Sequence, residues 1–428
     1  MKNKTGHFKL KKELSLFSMT LYGVGIILGA GIYALIGVGA GTAGNMLWIS
    51  FIIAAFLAVF SGLSYAELSG MFPKEAAEYN YTKKAFNKET LSFIVGWILV
   101  IASIIAAATV SLGFAGYFSH IVGGDVRVIA IALIAVLSLL NYIGIKVSAK
   151  FNNIASIIEV SGLLLVVGVG IFFFNDINVD FFEMPPGGIP AIISTVALIF
   201  FAYIGFEDIV NVSEEVKNAK KVVPKALILS LIISTVLYIL VSVIAIGVVG
   251  WETLASSKAP LTEVVSMKIP QAGLLMSIIA LFATSNTVLI LLIVGSRVLY
   301  GMSKQKTLPK AFKKIGRTGT PYIGVILVAI ATIIAASFGN LGFVATLTDL
   351  GIFIAYFFVN ASLIKLRYSK TKYKRTFKSP SIGNFPVLAV LGAATCVFMF
   401  FHFGLKVWLI ELGGLLLGFL IYKFYTKK

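Results

Sequence analysis

Charge is what this sequence has least of. Asp, Glu, Lys and Arg make up 13% of its 428 residues, where a water-soluble domain carries roughly 25%. Cysteine is nearly absent as well. Cys396 stands alone in an apolar run, which excludes a disulfide framework and a thiolate metal site. The three histidines, His7, His120 and His402, fall at the rims of apolar runs, which argues against a buried histidine proton relay. No HExxH zinc motif, no P-loop and no nucleophile–base constellation occurs. The signals for a metalloenzyme, an ATP-driven pump or a hydrolase are therefore missing, and no cofactor is implied. No hydrophilic stretch is long enough for a separate soluble domain. The first apolar run is too long, and wrongly flanked, for a cleaved signal peptide.

What fills the sequence instead is hydrocarbon, at 58% of residues. No charged residue lies between Glu13 and Glu67, Glu89 and Asp125, Lys225 and Glu252, Lys268 and Arg297, or Lys378 and Lys406. A membrane-crossing helix needs about 20 apolar residues, so the first gap holds two crossings, divided near Gly39–Asn45. The pattern predicts an all-α integral membrane protein with twelve spans, at 16–40, 44–70, 91–118, 127–145, 152–174, 189–210, 225–250, 271–300, 321–338, 341–365, 384–402 and 405–424. The net charge of +18 would suggest nucleic acid in a soluble protein, but its placement points to a membrane. With the N-terminus inside, 32 of the 36 Lys and Arg residues fall on the cytoplasmic side, and only Arg127, Lys258, Lys268 and Lys406 fall outside. Basic residues are retained inside, so a multi-pass protein of the cell membrane with both termini cytoplasmic is expected.

Two spans carry interruptions. The first contains Gly23, Gly25, Gly29 and Gly31 at mid-depth, and the sixth reads Phe201-Ala202-Tyr203-Ile204-Gly205-Phe206-Glu207-Asp208. Broken backbone within a membrane must line a cavity or be buried in protein. Matching breaks in spans one and six point to an inverted repeat with a central site; close helix packing through small residues is the alternative for the glycine run. Unwinding at Gly29, Ala30 and Gly31 would expose N–H groups at the positive end of a half-helix, a seat for a carboxylate. Carbonyls near Ile26 and at Phe201, Ala202 and Tyr203 would suit an ammonium group. Together the two ends are complementary to a zwitterionic amino acid. Tyr203 and Phe206, beside Ile204, offer an aromatic lid, and Asn286 in span eight a side-chain contact.

These motifs resemble the amino acid–polyamine–organocation superfamily of transporters. Beside the glycine run, the likeness rests on Tyr65-Ala66-Glu67-Leu68 with Phe72-Pro73 and Tyr79-x-Tyr81, on Asn141-Tyr142-x-Gly144-x-Lys146, and on Phe201-Ala202-Tyr203-x-Gly205-Phe206 with Glu214-Glu215-x-Lys217-Asn218 and Pro224. Arg297-x-Leu299-Tyr300 with Leu308-Pro309 extends it. The chain departs from the family at Glu75-Ala76-Ala77-Glu78, where a glycine pair is usual, and at Gln305-Lys306-Thr307, where Asp-Gly is usual. The resemblance implies a five-plus-five inverted-repeat fold working by alternating access. It divides the chain into a cytoplasmic segment 1–15, repeats at 16–174 and 189–365, and two added helices at 384–424.

Charged residues inside the spans carry the remaining expectations. Glu159 in span five is either the binding site of a coupling proton, since burial favours the neutral acid, or a hydrogen-bonded strut between spans one and five. Glu207 and Asp208 either gate the inner pathway by charge pairing, or attract a cationic substrate group, or cap and solvate the broken helix. Thr284 and Ser285 in span eight offer hydroxyl oxygens to Na⁺, with interhelical hydrogen bonding the alternative. The expectation is a secondary amino acid permease, with H⁺ as the coupling ion and Na⁺ or obligate exchange as alternatives. A non-transporting amino acid sensor is a rival from another class. The partners are a small amino acid and the lipid bilayer, not nucleic acid.

Overall fold

The structure is a computed structural model that describes residues 15–73, 77–173, 178–211, 213, 216–316, 318–338, 341–371 and 373–426. Most of the 1–15 segment, with Glu75, Ala76, Glu214 and Glu215, therefore lies outside the described residues. The first half holds α1 Leu16–Ala43, α2 Leu47–Met71, α3 Ala77–Phe86, α4 Glu89–Val122, α5 Val126–Ile143, α6 Ile145–Phe172, α7 Gly188–Ile199 and α8 Asp208–Asn211. The second holds α9 Ala219–Val249, α10 Trp251–Ser256, α11 Pro260–Lys268, α12 Gly273–Lys304, α13 Tyr322–Ala336, α14 Leu341–Arg367, α15 Val387–Phe400 and α16 Leu405–Thr426. A lone bridge between Ile382 and Phe385 is the only β pairing among the described residues.

Every expected crossing has an apolar helical segment, span six being the pair α7 and α8. Most are long enough to cross a membrane, while α13 and α15 are shorter, at 15 and 14 residues. The small helices α3, α10 and α11 were not foreseen; each sits in a connection between spans. Phe56, Leu139, Ile157, Ile171, Ile334 and Leu416 are largely exposed. In water such faces would be an aggregation liability; in a bilayer they are the lipid-facing surface.

Helix α1 runs through the packed interior, with every residue from Gly23 to Gly37 buried. It packs against α6, α7, α9, α10 and α12. Small residues permit this approach, as in membrane helix packing generally. A Cβ at Gly25, for example, would fall 2.5 Å from Ser156 Oγ on α6.

Glu67, near the end of α2, fastens a different region. It is fully buried and accepts from Arg367 Nη2 at 2.5 Å, Arg375 Nε at 2.9 Å and Ser379 N at 2.8 Å. Its partners are the end of α14 and the segment after it. Thr376 of that segment donates to the Lys220 carbonyl in the first turn of α9.

Candidate functional site

Both expected interruptions are present and face each other. In α1 the helix geometry fails at Gly29, with φ −14° and ψ −147°. In span six α7 ends at Ile199, residues 200–203 tighten into a 3₁₀ turn, Ile204 is extended and Gly205 takes φ +120°. That φ is open to glycine and strained for other residues. The two breaks touch: a Cβ at Gly31 would lie 2.3 Å from Ala202 Cα, so only glycine fits.

Between the breaks lies a small cavity. Ile26, Ile27, Ala30 and Gly31 line it from α1, Phe201, Ile204, Gly205 and Asp208 from span six, Ala106 from α4, and Thr287, Ile290 and Leu291 from α12. It has room for little more than a water molecule in this state, so a substrate has to widen it on entry. Five of the expected contacts, Ile26, Ala30, Gly31, Phe201 and Ile204, are thus brought together.

Five others are placed elsewhere. Gly29 is pressed against Thr287, its Cβ position only 2.4 Å from the Thr287 hydroxyl. Ala202 backs onto Gly31. Tyr203 and Phe206 form no lid over this cavity: the Tyr203 hydroxyl donates to the Phe51 carbonyl at 3.1 Å, and Phe206 packs on Tyr65 and Tyr356. The 3₁₀ turn explains this, because residues three apart share a face, which sets Phe201 and Ile204 together and Tyr203 away from them. Asn286 is fully buried and its Nδ2 donates to Ser156 Oγ at 3.4 Å. Its neighbour Thr287 faces the cavity instead. The spacing of Thr287, Ile290 and Leu291 at i, i+3 and i+4 marks that helix face in the sequence.

The backbone groups of the breaks already have side-chain partners. Ala30 N–H donates to Thr287 Oγ1 at 3.0 Å, and that hydroxyl donates to Ala283 O at 3.2 Å. From α9, the Tyr238 hydroxyl lies against two carbonyls at once, Ile27 O and, at 2.6 Å, Ala202 O. A hydroxyl thus stands at each end of the seat expected for a zwitterion. Thr284 and Ser285, the expected sodium ligands, turn their hydroxyls to Ala280 O and Phe282 O of their own helix. The contact that crosses from α12 to α1 is made by Thr287.

The acids separate by role. Glu159 is fully buried, and neither carboxyl oxygen has a hydrogen-bond partner among the described residues. Its carboxyl is not the strut between spans one and five; its backbone carbonyl is, accepting from Tyr33 at 2.8 Å. The carboxyl lies within electrostatic reach of both Tyr33 and Tyr238. Glu207 Oε2 accepts from Gly205 N at 2.9 Å and from the Tyr356 hydroxyl at 2.6 Å, so it caps the break. Asp208 makes no such contact and lines the cavity. Asp349 and Glu411 are two further buried acids without hydrogen-bond partners among the described residues, Glu411 lying against Gly351.

Known proteins resemble this chain over most of its length. The family described as amino acid permease matches residues 14–409. A branched-chain amino acid permease of Bacillus subtilis is 32% identical over 99% of this chain and 95% of its own length. The methylthioribose transporter of the same organism is 30% identical over 98% and 94%. The mitochondrial cationic amino acid transporter 3 of Arabidopsis thaliana is 28% identical over 85% of this chain and 63% of its own length.

Proposed function

Because the chain belongs to the amino acid permease family, we propose that it moves amino acids across the cell membrane by alternating access, driven by protons. The observation that carries this reading is the meeting of two broken helices at one cavity. Repeats at 16–174 and 189–365, with two added helices at 384–424, would each contribute one break, and both termini would face the cytoplasm. Substrate carboxylate replaces Thr287 on the Ala30 N–H, and substrate ammonium replaces the Tyr238 hydroxyl on the Ile27 and Ala202 carbonyls. Backbone dipoles then recognise the part that all α-amino acids share.

Glu159 supplies the coupling. An unpartnered carboxylate at that depth costs several kcal/mol, so the neutral acid is the resting form. Losing its proton places a negative charge near the Tyr238 hydroxyl and draws its hydrogen away from the two carbonyls. Proton transfer at Glu159 thereby alters the ammonium seat without contacting substrate.

Uptake of labelled amino acids into proteoliposomes tests the reading, with a pH gradient and a sodium gradient imposed separately. Accumulation under the pH gradient is expected. Accumulation under sodium alone would move the coupling role to the α12 hydroxyls, and exchange without net uptake would identify an exchanger. If no amino acid is carried in any mode, transport of this class is ruled out and a sensor becomes the better account.

A further inference from the structure

Beyond the backbone seat, the geometry points to a subsite for a cationic side chain at Asp208, which makes the basic amino acids the substrate class; this inference rests on the permease reading above. A second small cavity adjoins the first. The two share Ala106, Ile204, Asp208 and Leu291 in their walls. Asp208 therefore stands at the junction. It is 6% exposed, and no hydrogen bond or ion pair reaches its carboxyl among the described residues. Glu207 and Glu78 border the same second cavity, and among the described residues no Lys or Arg lines either cavity.

The chemistry follows from that arrangement. Burying a charge without a partner is costly, and a pathway that concentrates one sign of charge recruits ligands of the other. A substrate held by its backbone between the two breaks would send its side chain along Ile204, Leu291 and Ala106. These walls suit methylene groups, whether they belong to leucine or to the stem of lysine. The carboxyl at the end of the path distinguishes the two, because it offers nothing to a branched alkyl group, whereas an approaching ammonium or guanidinium favours its ionised form and pairs with it. Glu207 is already bound to Gly205 and Tyr356, which leaves Asp208 as the acid facing both spaces.

The test uses the full chain in proteoliposomes under a pH gradient and an inside-negative potential, with lysine, arginine, leucine and alanine as substrates. Lysine and arginine are expected to be carried with higher efficiency than leucine. In Asp208→Asn, which keeps the shape but not the charge, the lysine-to-alanine efficiency ratio should fall by roughly thirtyfold or more, the loss typical of removing one member of a buried charge pair. An unchanged ratio would mean that Asp208 is permanently neutral and would overturn the inference. So would leucine uptake that a large excess of lysine or arginine fails to inhibit, and in both cases the permease reading stands. Uptake of none of the four removes the permease reading itself. Should Asp208→Asn not fold, the melting temperature of the unaltered protein decides. A larger rise with lysine than with alanine upholds the subsite, and an equal or smaller rise overturns it.

Discussion

Thr287 shows how one hydroxyl can set the affinity of a site. It holds the Ala30 N–H that a substrate carboxylate would need, so binding has to break that bond first. Thr287→Val keeps the shape and removes the competitor. A typical hydrogen bond contributes about 1 kcal/mol net, so KM for uptake should fall about fivefold. A rise in KM would show instead that Thr287 itself contacts substrate. Glu159 is the other residue on which a single atom decides. Glu159→Gln reproduces the neutral acid permanently, so substrate exchange should persist while acceleration by a pH gradient disappears. Paired assays of exchange and gradient-driven uptake separate the two effects; a preserved response to the gradient would remove Glu159 from coupling.

At the scale of the element, the two breaks work as one unit because their backbones touch. Gly31→Ala would place a methyl group 2.3 Å from Ala202 Cα. Neither backbone can yield without parting the half-helices. Overpacking of this kind costs about 1–3 kcal/mol, and the variant should melt earlier and lose uptake together. Normal uptake would mean that the breaks can separate without consequence. A second elemental contact fastens α2 to the end of α14. Glu67 holds Arg367 and Arg375 in a buried cluster, and removing one member leaves charge without compensation. Glu67→Gln should therefore destabilise the protein by about 3 kcal/mol, read as a lower melting temperature in detergent. A change below 1 kcal/mol, about the ceiling for exposed pairs, would mean that the cluster behaves as a surface pair.

Across the whole molecule, the parts legible in the sequence are those with a strong local signal. Charge-free runs located the spans, clustered glycines located the first break, and Gly205 followed by two acids located the second. Helix rotation was not legible. Consecutive residues on a helix point 100° apart, and nothing local tells which of Asn286 and Thr287, or of Glu207 and Asp208, meets the cavity. The Glu67–Arg367 pair was hidden for another reason, since 300 residues separate its members. Orientation rests on a global count, and it makes a prediction that involves the entire chain. With 32 of 36 basic residues on one side, the segment after α14 should be cytoplasmic and the connection holding α10 external. Cys396 is buried and is the only cysteine, so its replacement gives a clean background. Ser369 and Ser256 are both exposed, and they lie on the two opposite sides that this topology assigns. In intact cells an impermeant thiol reagent should label Ser256→Cys and spare Ser369→Cys until the membrane is opened. The reverse pattern would invert the protein in the membrane and turn the second cavity toward the opposite compartment. Labelling of both in intact cells would mean that the number of crossings between them is even rather than odd.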